Sequence, residues 1–169
     1  MAEALLRRGL ADRGVAATVS SAGVATEDQP PTEEVIELMK SRKIDVTGHR
    51  SRLLDPAIVA GSDLIVGMAR EHVREVSILD PSAFPRTFTI TELVRLGEAN
   101  GPRPPEQSLA AWLVALGAER TPAAHLTLTD ADDIEDPIGR RFGVYKRVAA
   151  ELDDLTQRLV DLGWPEPLE

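Results

Sequence analysis

At 169 residues, 43% hydrophobic and 28% charged, the chain has the size and composition of one globular domain with a sizeable core. A net charge of −9 argues against general nucleic-acid binding, and the lack of any cysteine removes disulfides, thiolate metal sites and a thiol nucleophile. No apolar run approaches membrane-spanning length, and residues 1–10, MAEALLRRGL, lack the apolar core of a signal peptide, so a soluble cytoplasmic protein that does not bind membranes is expected.

The chain opens on a helical pattern over Met1–Arg13, with Ala2, Leu5, Leu6 and Leu10 on one face and Glu3, Arg7 and Arg8 outside. Gly14 is placed to end it. Ala17–Ser21, ATVSS, reads as a short strand, and Val24–Pro31 as a loop. Thr32 suits the cap of a second helix, with Glu33 and Glu34 in its first turn and Val35, Ile36 and Met39 inward. In Ile44–Leu54, Gly48 makes a turn, followed by the polar run His49, Arg50, Ser51 and Arg52 between the apolar Val46 and Leu53.

Asp55-Pro56 starts a brief helix. Asp63–Met68, DLIVGM, is a continuous apolar run of the kind buried on both faces of a parallel sheet. A helix is predicted over Arg70–Leu79 with Val73, Val76 and Leu79 inward, then a third strand over Arg86–Ile90 and a helix from Thr91 to about Gly97. After the loop Asn100–Pro105, the residues Leu109, Trp112, Leu113 and Leu116 mark another amphipathic helix, either a lid or a packing element. Finally Val144, Val148, Leu152, Leu155, Leu159 and Leu162 form one buried stripe on a long helix ended by Gly163 and Pro165. Strands alternating with helices over a single domain, 1–169, predict an α/β three-layer sandwich around a short parallel sheet.

The chemistry concentrates in Asp130 to Arg141, DADDIEDPIGRR, where Asp130, Asp132, Asp133, Glu135 and Asp136 precede a Pro-Ile-Gly turn. Pro137 holds Asp136 out of helical geometry and Gly139 permits a further bend, so the acid at the mouth of the last helix can be aimed. The plainer reading is a solvated turn that supplies acids to a helix N-terminus.

The order MAEALLRR, SSAG, GHRSR, DLIVGM and EDPIG before a long helix resembles the low-molecular-weight protein tyrosine phosphatases over nearly the whole chain. The resemblance implies a sheet of four parallel strands and hydrolysis of phosphotyrosine-type monoesters through a cysteinyl-phosphate, with no cofactor and no metal. It makes Asp136 the general acid, assigns Ser21, His49 and, less specifically, Arg52 to supporting the phosphate-binding loop, and sets Pro137 and Ile138 at the wall of the substrate slot. Members acting on phosphotyrosine often carry Tyr where this chain has Ile138, which puts an aryl preference in doubt. The stretch around 100–119 is a helical insertion relative to many members. The related arsenate reductases share the fold but need additional cysteines.

The resemblance also implies an apolar strand and a loop of Cys, five residues, Arg and Ser immediately ahead of the segment similar to MAEALLRR. Neither is among these residues, so the expectation is a fragment or mis-started form, inactive by itself. Loss of an interior strand implies low stability, rearrangement or filling of the slot by another chain, including a second copy. Partners would be a phosphorylated protein or a small aryl phosphate, for the complete form. Two other readings stand beside this one. One is a non-catalytic binding or regulatory module that keeps the fold. The other is a receiver-like domain with Asp130, Asp132 and Asp133 around Mg²⁺.

Overall fold

The computed structural model describes residues 1–121 and 132–166. Backbone contacts divide the chain into two compact units, Met1–Leu54 with Glu135–Gln157, and Asp55–Ile134 with Arg158–Glu169.

In the first unit, α1 (Ala2–Asp12) buries Leu5 and Leu10 along its apolar stripe. It stops where Gly14 turns to φ +70, and the Val15 N–H donates to the Leu10 carbonyl. α2 (Glu33–Ser41) starts at Thr32, whose hydroxyl accepts from the Val35 N–H, with Glu33 and Glu34 in the first turn where the helix dipole favours acids. It buries Leu38 and Met39, while Val35 and Ile36 are only half-buried. From α7 (Phe142–Gly163) this unit takes the buried Tyr145, Val148, Ala149, Leu152, Leu155 and Thr156.

The strand expected over Ala17–Ser21 does not form. A strand is a property of a pair, and these carbonyls are claimed by side chains instead. The Val19 carbonyl accepts from Arg7 at 2.8 Å and the Ser21 carbonyl from Arg52 Nε at 2.8 Å. Among the described residues, regular pairing here is limited to a parallel bridge between Gly23 and Leu53.

In the second unit, α3 (Pro56–Ala60) is capped by Asp55, whose Oδ1 accepts from the Ile58 N–H at 2.8 Å, and β1 (Ile65–Gly67) pairs in parallel with β2 (Thr87–Thr89), Val66 opposite Phe88. α4 (Arg70–Leu79) and a 3₁₀ turn (Pro81–Arg86) make the crossover that parallel strands require. The class is therefore α/β, with a sheet of two strands among the described residues. β2 is fully buried, whereas Ile65 and Val66 of β1 are half-buried, short of the two-sided burial that DLIVGM suggests. Gly67 eases the close approach where β1 bends into α4: a Cβ there would sit 3.0 Å from the His72 Cβ. His72 Nδ1 then accepts from the Met68 and Ala69 N–H groups, both at 3.2 Å. α4 buries Val73 and Val76, but Leu79 is 41% exposed. Each three-residue step on a helix drifts by about 60°, so two steps carry Leu79 off the face that Val73 begins.

α5 (Ile90–Asn100) is capped by Thr89, whose hydroxyl accepts from the Glu92 N–H at 3.1 Å, and runs longer than the periodicity suggests. α6 (Leu109–Leu116) is capped by Ser108 and buries Trp112, Leu113 and Leu116, which makes it a packing helix. Trp112 lies within 3.5 Å of where a Cβ on Gly97 would stand, and Leu162 within 2.9 Å, so α5, α6 and the end of α7 meet at a glycine that permits close approach. Arg103 Nε donates to the Gly163 carbonyl at 2.6 Å and ties the loop before α6 to the same place.

Beyond α6 a buried ion pair holds the chain. Arg120 forks onto Glu92, Nε to Oε1 at 2.9 Å and Nη2 to Oε2 at 3.0 Å, with side chains 6% and 5% exposed. The guanidinium also donates to the Thr87 carbonyl at 2.7 Å, and lies 4.5 Å from the Phe84 ring centroid and 3.9 Å from that of Phe88. No helix among the described residues is long and apolar enough to cross a membrane.

Candidate functional site

Three of the residues singled out in the sequence come together in the first unit. Residues 23–29 run beside 51–54: the Gly23 N–H donates to the Arg52 carbonyl at 2.9 Å, the Leu54 N–H to the Gly23 carbonyl at 2.8 Å, and the Ser51 N–H to the Gln29 carbonyl at 2.9 Å. This lacing places Arg52 over the end of the preceding segment, where its Nε donates to the Ser21 carbonyl. The turn at Gly48, closed by the His49 N–H donating to the Val46 carbonyl at 3.0 Å, presents His49.

The Ser21 and His49 side chains converge on Glu3, which the helical pattern assigned to the outside of α1. Its side chain is 15% exposed. The Ser21 hydroxyl donates to Oε2, Arg7 one turn along α1 donates to Oε1, and His49 Nδ1 lies 3.8 Å from Oε2. Burial by itself would raise the Glu3 pKa. The hydrogen bonds from Ser21 and Arg7, with the charges of Arg7 and His49, outweigh it and hold the carboxyl below the ordinary glutamate value. The local signal for Glu3 was the Arg7 spacing of four; the rest required Ser21 and His49 to be brought in from 18 and 46 positions away, which no periodicity encodes.

This arrangement carries a pH dependence. A carboxyl whose folded pKa is depressed contributes stability above its unfolded pKa, ordinarily about 4.3 for glutamate, and loses it as pH falls through the folded value. Urea denaturation of the chain is therefore expected to show stability falling below about pH 4, and Glu3→Gln is expected to flatten that acid limb while lowering stability at neutral pH. An unchanged acid limb in Glu3→Gln would mean that the cluster adds nothing to folding.

Asp136 stands apart from this cluster. It is exposed, and among the described residues it makes no hydrogen bond or ion pair with Ser21, His49 or Arg52. Its Oδ1 accepts from the Ile138 N–H at 3.0 Å, the Arg140 N–H donates to the Pro137 carbonyl at 2.9 Å, and Gly139 adopts φ +73. The loop is thus a self-bonded turn that leaves the outer carboxylate oxygen toward solvent. Pro137 is half-buried and Ile138 is 71% exposed.

The neighbouring acids have other work, and none lies in the first turn of α7, against the expectation of a helix supplied with N-terminal acids. Glu135 pairs with Arg147. Asp132, buried, faces Arg70 at 3.6 Å and Arg95 at 3.7 Å, and Asp133 Oδ1 caps α4 at the Arg70 N–H at 2.8 Å. Two guanidinium groups compete with any cation at Asp132, which weighs against the Mg²⁺ reading; Asp130 lies outside the described residues. Two open clefts of about 320 and 420 Å³ line the Arg8 and Asp12 face of α1, and neither touches Ser21, His49, Arg52 or Asp136.

Comparison with known proteins places the chain in a family. The pattern of the low molecular weight phosphotyrosine protein phosphatases matches residues 1–98. A probable low molecular weight protein-tyrosine-phosphatase EpsP from Ralstonia solanacearum is 35% identical over 94 residues; those cover 55% of this chain and 62% of the relative, so the chain spans less than two thirds of that protein. The EpsP of Ralstonia nicotianae is 32% identical over 117 residues, 69% of this chain and 76% of the relative. Among solved structures, the low molecular weight protein tyrosine phosphatase from T. tengcongensis superposes with a TM-score of 0.69 at 27% identity, covering 95% of this chain and 87% of that one. The chain is a member of the low molecular weight phosphotyrosine protein phosphatase family.

Proposed function

We propose that these residues are the acid-bearing part of a cytoplasmic phosphatase acting on phosphoric monoesters of proteins or small aryl phosphates, and that the 169-residue chain alone is inactive. The observation that carries the second half is compositional: there is no cysteine. Formation of a cysteinyl-phosphate needs a thiolate to attack phosphorus. The sulfur of an active enzyme would have to lie outside these residues.

In this reading Asp136 donates its proton to the leaving oxygen and then assists water in attacking the phospho-enzyme. Its exposure and the open outer oxygen support that role, and the turn around Pro137 and Gly139 supports a fixed aim. Ser21, His49 and Arg52 stabilise the site's walls, with Glu3 as the acceptor that unites the first two. Pro137 and the exposed Ile138 flank the slot. An aliphatic side chain there lacks the flat face that stacks an aryl ring, so phenyl esters are expected to gain less over alkyl esters than where Tyr stands.

Self-association belongs to the same reading. Among the described residues β1 is paired on one edge only, and its Ile65 and Val66 are half-buried. An edge of this kind accepts an added strand. A sedimentation experiment at micromolar concentration is expected to show dimers that Val66→Lys dissolves; a monomer at all concentrations would remove this part.

The function is tested by supplying the sulfur. A fusion that places an apolar strand and a Cys-to-Arg-Ser loop ahead of Met1 is expected to hydrolyse p-nitrophenyl phosphate and to trap a phospho-cysteine visible by intact mass. It is also expected to melt hotter than the 169-residue chain. A fusion that folds but neither turns over nor is phosphorylated would favour the non-catalytic module, a reading that the missing thiol also supports.

A further inference from the structure

The exposed arginines of the first unit are mostly engaged. Arg7 pairs with Glu3, Arg8 with Asp12 and Arg147 with Glu135. Arg140 and Arg141 differ: both are exposed, and among the described residues neither guanidinium has an ion-pair, hydrogen-bond or ring partner. Their position is electrostatically unfavourable. They immediately precede Phe142, the first residue of α7, where the helix dipole presents its positive end. No acid lies in the first turn, and Lys146 adds a third cation 4.9 Å from the Phe142 ring centroid. The turn that carries the pair is held by the Arg140 N–H on the Pro137 carbonyl and by Gly139, so the two side chains leave from a defined base.

We propose that Arg140 and Arg141 are a docking surface for an acidic segment of a partner protein. Charge complementarity argues for this occupant. A chain of net charge −9 repels acidic partners over most of its surface, so a local pair of free guanidinium groups selects where such a segment can settle. Guanidinium forks also match carboxylates bidentately. The proposal rests on the phosphatase reading only in taking the partner to be a phosphorylated protein, with the acidic residues flanking the phosphate.

The test is fluorescence anisotropy with a labelled, unphosphorylated peptide of alternating glutamate and glycine, using the full 169-residue chain. The parent is expected to bind at low salt and to weaken as salt shortens the screening length to about 8 Å. Arg140→Ala with Arg141→Ala is expected to weaken binding about five-fold, the size that two exposed ion pairs give, and to flatten the salt dependence. Arg140→Lys with Arg141→Lys, which keeps the charge but not the fork, is expected to restore part of it, and Lys40→Ala with Lys43→Ala, on exposed lysines elsewhere in the unit, to leave it unchanged. Circular dichroism of each variant checks folding. No binding by the parent, equal binding by the double alanine variant, or an equal loss in the lysine control would overturn the proposal. Because the peptide carries no phosphate, failure here leaves the phosphatase reading to be judged by turnover of the fusion.

Discussion

Replacing Arg120 by alanine is expected to destabilise the unit formed by Asp55–Ile134 and Arg158–Glu169 by about 3–5 kcal/mol. The reason is what remains: Glu92, 5% exposed, keeps a buried carboxylate that has lost both guanidinium bonds. The Thr87 carbonyl loses its donor, and the rings of Phe84 and Phe88 lose the cation between them. Exposed pairs such as Arg158 with Glu98 are worth about 0–1 kcal/mol, so their removal provides the comparison. At the few degrees per kcal/mol usual for a chain of this size, the melting temperature should fall by about 10 °C or more. Replacing both partners, Arg120→Met with Glu92→Gln, should recover a large part of the loss, since a buried pair is harder to break than to replace. A loss under about 1 kcal/mol for Arg120→Ala would show that solvent reaches the pair and that it does not clamp the chain to β2 and α5.

The second large effect concerns Asp136 in the thiol-bearing fusion. Asp136→Asn is expected to lower kcat for an aryl phosphate by about two to four decades, the usual contribution of a positioned acid. The loss should be greatest for esters with poor leaving groups and small for activated ones, because a stable phenolate needs no proton to depart. The asparagine oxygen can still accept from the Ile138 N–H, so the turn around Pro137 should persist and the variant should melt like its parent. A uniform loss for good and poor leaving groups alike would assign Asp136 a structural role instead.

Sequence pattern and structure agree where the physics is local. Thr32 caps a helix, Gly14 ends one, and Trp112, Leu113 and Leu116 face inward at helical spacing. They part where a partner from far along the chain decides. ATVSS has the composition of a strand but pairs with no strand among the described residues, and Arg7 and Arg52 take two of its carbonyls. Leu79 fits a stripe counted in threes but drifts off its face. At the site, Ser21, His49 and Arg52 do come together, yet Glu3, which Ser21 and His49 both face, looks like an ordinary surface residue of α1. The acidic run before α7 reads as one feature, but its described members separate into a buried partner for arginines, a cap for α4, an ion pair and a free acid. Residue type alone assigns none of those roles.

The most direct measurement is phosphate release from p-nitrophenyl phosphate by the purified 169-residue chain and its Asp136→Ala variant, side by side. Neither is expected to exceed the uncatalysed rate, because an acid without a sulfur nucleophile has nothing to assist. Turnover by the parent at an enzymatic rate, lost in Asp136→Ala, would show that these residues perform the chemistry unaided.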